Sequence, residues 1–119
     1  QNKLAYAEVQ NASGAFIAPT IEAITEAAAG AAKALGKDTD YRVSIVNAPG
    51  KKVYPISSFT WLLVHERMPD ATKAKKLSAF LKYALNEGQK SAASLDYAPL
   101  PSNIAKQLEA RAAALANAK

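Results

Sequence analysis

The sequence predicts an α/β fold in which three main helices surround a short mixed sheet with an N-terminal hairpin. Three observations predict it. Apolar residues recur at helical spacing in three separate stretches. Residues 59–64, Phe-Thr-Trp-Leu-Leu-Val, are rich in β-formers and apolar on both faces. Asn11-Ala12-Ser13-Gly14 is a turn cluster between two short extended pieces. A chain of 119 residues suits one domain. Half of it is hydrophobic, but 27 of those residues are Ala and only 32 are larger, enough for one modest core.

Taken in order, Leu4 to Val9 alternates as a short strand. The turn at 11–14 follows, and Phe16-Ile17 returns before Pro19 closes the hairpin. Thr20 is a good N-cap. Behind it Ile21, Ile24, Ala28, Ala31 and Leu35 fall on one helical stripe, with Glu22 and Glu26 near the positive end of the dipole and Gly36 as the stop. This spacing predicts a helix over 20–35. Val43 to Val46 alternates weakly, as a short strand or a helical turn, and Asn47 to Lys52 is a Pro-Gly turn. The run 59–64 reads as a central strand buried on both sides, with the sheet built around Trp61 and Leu63. Asp70 caps a second helix whose stripe is Ala74, Leu77, Phe80, Leu81, Ala84 and Leu85, ended or kinked at Gly88. Residues 89–95 read as one more short helix. Pro99 and Pro101 hold 96–101 extended. Ser102 caps a last helix with Ile104, Leu108, Ala112 and Leu115 on one face. The helices are expected to bury Ile24, Leu35, Leu77, Leu81, Leu85, Ile104 and Leu108.

Composition excludes much. There are no Cys, which removes disulfides, thiolate metal sites and Cys nucleophiles. A net charge of +5 permits nucleic acid or an anionic membrane as partner without arguing for either. No apolar run approaches the ~20 residues of a membrane span. No basic region followed by an apolar one opens the chain, so no signal peptide is read in it; the first residue is Gln1.

The chemistry on offer is sparse. His65 stands just after the apolar run, beside Glu66 and Arg67, with no second His or Cys to share a metal; it reads as a surface residue at a strand end. Glu22 and Glu26 lie four apart on one face, where complementing the helix dipole explains them better than acid–base work. Ser57, Ser58 and Thr60 offer hydroxyls that turn chemistry accounts for. Lys73, Lys75, Lys76 and Lys82 read as a solvated helix face, since no exposed aromatics interleave them. No phosphate-loop, dinucleotide or nucleophile-elbow motif is present. No residue is assigned to catalysis, to a cofactor or to a metal.

Several runs nevertheless resemble one family. They are Gln1 to Tyr6, Asn11-Ala12-Ser13-Gly14, Ala18-Pro19-Thr20, Tyr54-Pro55-Ile56-Ser57-Ser58-Phe59-Thr60, Phe80 to Leu85, Gly88-Gln89-Lys90 and Leu95-Asp96-Tyr97-Ala98-Pro99-Leu100-Pro101. In this order they are similar to the C-terminal third of the phosphate-binding proteins of bacterial ABC transporters, type II periplasmic binding proteins. The resemblance spans residues 1 to about 112. It implies that residues 1–119 are a single partial domain, the C-terminal part of one lobe, beginning just after a hinge strand. It implies no catalysis, a periplasmic home with the signal peptide in an N-terminal part, and delivery of inorganic phosphate to ABC permease subunits. In the family, Ser and Thr hydroxyls, helix N-termini, an Asp and an Arg of the N-terminal and middle parts hold phosphate. None of those motifs matches here, so no phosphate-binding residue is carried over, and specifically not Arg42, Arg67 or Asp70. No nucleic acid is expected. Unpaired sheet edges are expected to permit a homo-oligomer. The alternative is a stand-alone basic α/β module that binds protein or nucleic acid.

Overall fold

A computed structural model describes residues 4–35 and 39–116. The order of elements is β1 (Val9–Gln10), β2 (Phe16–Ile17), α1 (Ile21–Gly30), α2 (Ala71–Leu85) and α3 (Ser102–Leu115), with two 3₁₀ turns, Glu87–Ser91 and Ala93–Leu95, between α2 and α3. The three helices and the hairpin are as expected. The mixed sheet is not: among the described residues there is one two-stranded antiparallel sheet, with Val9 opposite Ile17 and Gln10 opposite Phe16.

The hairpin is shorter than its alternating pattern suggested. Residues 4–8 run on unpaired and exposed. Its loop closes through Asn11 N–H to Ala15 C=O at 2.9 Å and Gly14 N–H to Asn11 C=O at 2.9 Å, and Gly14 takes φ +81°, which only Gly adopts freely.

Thr20 caps α1 as expected, its Oγ1 accepting from Ala23 N–H at 3.2 Å. The helix ends at Gly30 rather than continuing to Leu35. Gly in mid-helix gives up the most backbone entropy, and residues 31–35 continue only as a turn, with Leu35 N–H bonded to Ala31 C=O. Gly36 lies outside the described residues. Of the expected stripe Ala28, Ala31 and Leu35 are buried, while Ile21 and Ile24 are half-buried and Ala23 and Ala27 take the interior positions beside them. Small side chains let other segments approach the helix closely. Ala27, Ala28, Ala31, Leu35, Ile45, Val53 and Ile104 form the core, with Phe59, Leu100 and Leu108 packed against it.

Asp70 caps α2, its Oδ1 accepting from Thr72 and Lys73 N–H at 2.9 and 3.0 Å. This helix packs against α3. Its buried positions are Ala74 and Ser78, while Leu77, Leu81 and Leu85 are only half-buried and Phe80 and Tyr83 face outward. The α2–α3 layer is thus thinner than the stripe implied. Ser102 is the first residue of α3 rather than its cap; Pro101 holds the cap position, with no side-chain bond.

The largest departure is the segment 39–70, which contains no strand or helix. Val43–Val46 forms no strand, although Ile45 is buried. Residues 59–64 form none either: Trp61 is 44% exposed, Leu62 67% and Leu63 96%. The physical reason is pairing. A strand is completed by a neighbour's backbone, and the described strands pair only with each other.

Candidate functional site

The residues singled out for chemistry do not converge. His65, Glu66 and Arg67 are exposed; Glu66 lies 3.6 Å from Arg111 of α3. Ser57 is buried, and its Oγ donates to Tyr54 C=O at 2.8 Å, so its hydroxyl closes a turn. Ser58 Oγ donates to Phe59 C=O at 3.2 Å, and Thr60 is exposed. Lys73, Lys75, Lys76 and Lys82 are exposed along α2, with Lys73 3.9 Å from the capping Asp70. No group of three or more metal-ligating side chains occurs among the described residues.

Glu22 and Glu26 come closest to a site. With Phe16, Ile17, Thr20 and Lys52 they line an open groove of about 300 Å³ between β2 and α1. Its lining sets two carboxylates against one ammonium, which repels rather than holds a phosphate anion.

Arg42 is already engaged. It forms an ion pair with Asp40, its Nε donating to Asp40 Oδ2 at 2.6 Å while its N–H bonds Asp40 Oδ1 at 3.1 Å. The side-chain hydrogen bond from Arg42 holds the Asp40 carboxyl below its usual range, and the same bond raises Arg42.

The most heavily bonded side chain is one that sequence reasoning took for an ordinary turn residue. Asn11 is 6% exposed. Its Nδ2 donates to Gly50, Lys51 and Val53 C=O at 3.1, 3.2 and 3.1 Å. Its Oδ1 accepts from Ser13 N–H, Ser13 Oγ and Ala15 N–H at 3.0, 2.7 and 3.2 Å. It fastens the hairpin to the 50–53 loop. A polar residue before a Gly turn signals the local half of this network, but nothing in the sequence signals the distant half.

With no ligand constellation among the described residues, relatives supply the functional context. The "Phosphate-binding protein PstS" of Xylella fastidiosa (strain 9a5c) is 37% identical over 110 residues, which cover 92% of this chain and 30% of that protein. The protein of the same name from Haemophilus influenzae is 32% identical over 111 residues, 93% of this chain and 33% of the relative. That from Methanocaldococcus jannaschii is 35% identical over 115 residues, 89% and 30%. This chain matches one stretch of a phosphate-binding protein. The resemblance of the chain to phosphate-binding proteins is therefore borne out. The chain spans about a third of the length of the phosphate-binding proteins it matches. No family model and no solved structure matches it. No helix among the described residues is long and apolar enough to cross a membrane.

Proposed function

We propose that residues 1–119 are a partial domain of an inorganic phosphate receptor, the C-terminal part of one lobe of a type II periplasmic binding protein. The carrying observation is the 37% identity over 92% of the chain to proteins named for binding phosphate. The whole receptor holds phosphate in the periplasm and delivers it to ABC permease subunits. It performs no covalent chemistry and takes no nucleic-acid partner.

In this reading the part described here is scaffold. Two features support that role. Asn11, Ser57, Thr25 and Gln89 spend their side chains internally, bonding backbone groups of other segments or of their own turns. The groove between β2 and α1 carries the wrong sign of charge for an anion. Gln89 in particular ties the 3₁₀ turn after α2 to the strap before α3, donating to Ala84 C=O at 2.9 Å and accepting from Leu100 N–H at 2.8 Å.

The experiment is a chimera. The 110 matched residues of the Xylella protein are replaced by this chain, and phosphate binding is followed by calorimetry. The chimera binds phosphate, and the 119-residue chain alone gives no heat. A folded chimera that does not bind overturns the receptor reading. Binding by the isolated chain overturns its assignment as scaffold.

A further inference from the structure

We propose that the outward face of α2 is a membrane-docking surface that lies on an anionic phospholipid bilayer. The inference goes beyond the receptor reading and does not rest on it.

The helix Ala71–Leu85 carries four Lys and no Asp or Glu. The expectation of a plain solvated face assumed no exposed aromatics among those lysines, but Phe80 is 58% exposed and Tyr83 59%. At about 100° per residue, Lys76 and Tyr83 lie opposite the buried Ala74 and Ser78. Phe80 stands beside them. Lys73 flanks this line on one side, and Lys75 and Lys82 flank it on the other, all exposed. Two aromatic rings thus run along the outer line of the helix with ammonium groups on both sides. Among the described residues Lys75, Lys76 and Lys82 make no ion pair, and Lys73 lies 3.9 Å from Asp70. The acids just beyond the two ends are engaged: Asp70 caps the helix, and Glu87 pairs with Lys90 at 2.6 Å.

That arrangement complements a layer of lipid phosphates. Lysine stems lie along the boundary between headgroups and acyl chains while their ammonium groups reach the phosphates, and rings enter between them. A Tyr suits that boundary, with an apolar body and a polar tip. Each Lys near an anionic surface strengthens binding by about fivefold. The helix is not long and apolar enough to cross a bilayer, so it lies on the surface. Other occupants fit less well. A single nucleic-acid strand takes a groove, and this face is the convex side of a helix. A second copy of the chain presents the same positive charge and is repelled. Area is consistent with an uncovered face: the chain exposes 8734 Å², against about 6200 Å² for a compact monomer of its mass.

The test is flotation with vesicles of phosphatidylglycerol and phosphatidylcholine in equal parts, using the 119-residue chain and the full-length Xylella chimera. Both float with these vesicles, neither floats with phosphatidylcholine alone, and added salt releases them. Lys75→Gln with Lys76→Gln weakens partitioning by about thirtyfold, and Lys75→Arg with Lys76→Arg preserves it. Phe80→Ala with Tyr83→Ala weakens it by about tenfold. All four side chains are exposed, so these variants keep the melting behaviour of the parent chain.

No flotation, equal flotation with neutral vesicles, or partitioning unmoved by either pair of substitutions overturns the proposal. Flotation of the chain but not of the folded chimera shows that the rest of a phosphate-binding protein covers the face, and overturns it as well. Tighter, lysine-dependent binding to a single-stranded oligonucleotide assigns the face to nucleic acid, with the same consequence. A smaller graft, residues 71–85 of this chain in place of the matched residues of the Xylella protein, asks the question again should the full chimera not fold. The two readings fail separately. Flotation without phosphate binding sinks the receptor and keeps the docking face, and phosphate binding without flotation does the reverse.

Discussion

Asn11 joins two parts of the chain that lie about forty positions apart. Its amide is saturated on both sides, so truncation strands three carbonyls and three donors at once. Asn11→Ala lowers unfolding free energy by about 2–3 kcal/mol in urea titration, the cost of buried groups left without partners. Asn11→Asp is at least as damaging, because it replaces the donating amide with a carboxylate facing the Gly50, Lys51 and Val53 carbonyls. The Asp40–Arg42 pair behaves differently. Folding lowers the Asp40 pKa, chiefly through the Arg42 side-chain bond. Its contribution is therefore present above the unfolded carboxylate value of about 3.9 and is lost as pH falls through the lower folded one. Wild type and Asp40→Asn differ slightly in stability at neutral pH and converge in acid. Because both side chains are exposed, added salt shrinks the difference. Both residues show how far sequence carries at this scale. An Asp two positions before an Arg is legible as a pair, whereas Asn11 discloses its turn but not the loop it grips.

At the scale of elements, the legible features were those decided locally. Thr20 and Asp70 cap their helices through bonds two or three residues away, and any sequence window contains both partners. Asp70→Ala costs α2 about 1 kcal/mol, measured as a lowered urea midpoint with an unchanged slope. The extent of α1 was less legible. Its stripe predicts a helix to Leu35, but Gly30 ends it, and Ala27 rather than Ile24 reaches the interior. Ala27 is fully buried, so Ala27→Leu overpacks the core and destabilises by about 1–3 kcal/mol, whereas a reading from the stripe alone leaves it harmless. Segment 59–64 was legible in composition and illegible in state. Its residues specify a strand, but strandedness belongs to a pair, and no described residue pairs with it. The candidate site follows the same logic. Ser57 closes a turn onto Tyr54 C=O three residues back, a bond whose two partners any sequence window contains.

For the whole molecule, shape carries the same message as area. The Cα radius of gyration is 16.2 Å with extents of 49 × 32 × 19 Å, where a compact chain of this length gives about 13.5 Å. Small-angle scattering of the dilute chain is expected to return a radius clearly above the compact value; a compact result contradicts the open arrangement of hairpin, Ala-rich helix and α2–α3 layer. Sequence could not reveal this, because 32 larger apolar residues fill a small core or coat an open one equally well. The stretch 56–69, which no backbone–backbone hydrogen bond reaches among the described residues, has one more consequence, for lifetime. Arg67 is exposed and sits within it, and a protease needs an extended, unbonded segment to seat a chain in its cleft. Trypsin therefore cuts first after Arg67, separating the hairpin and α1 from the α2–α3 layer. In a cell the same stretch marks the uncovered chain for degradation, and whatever pairs with it erases the mark.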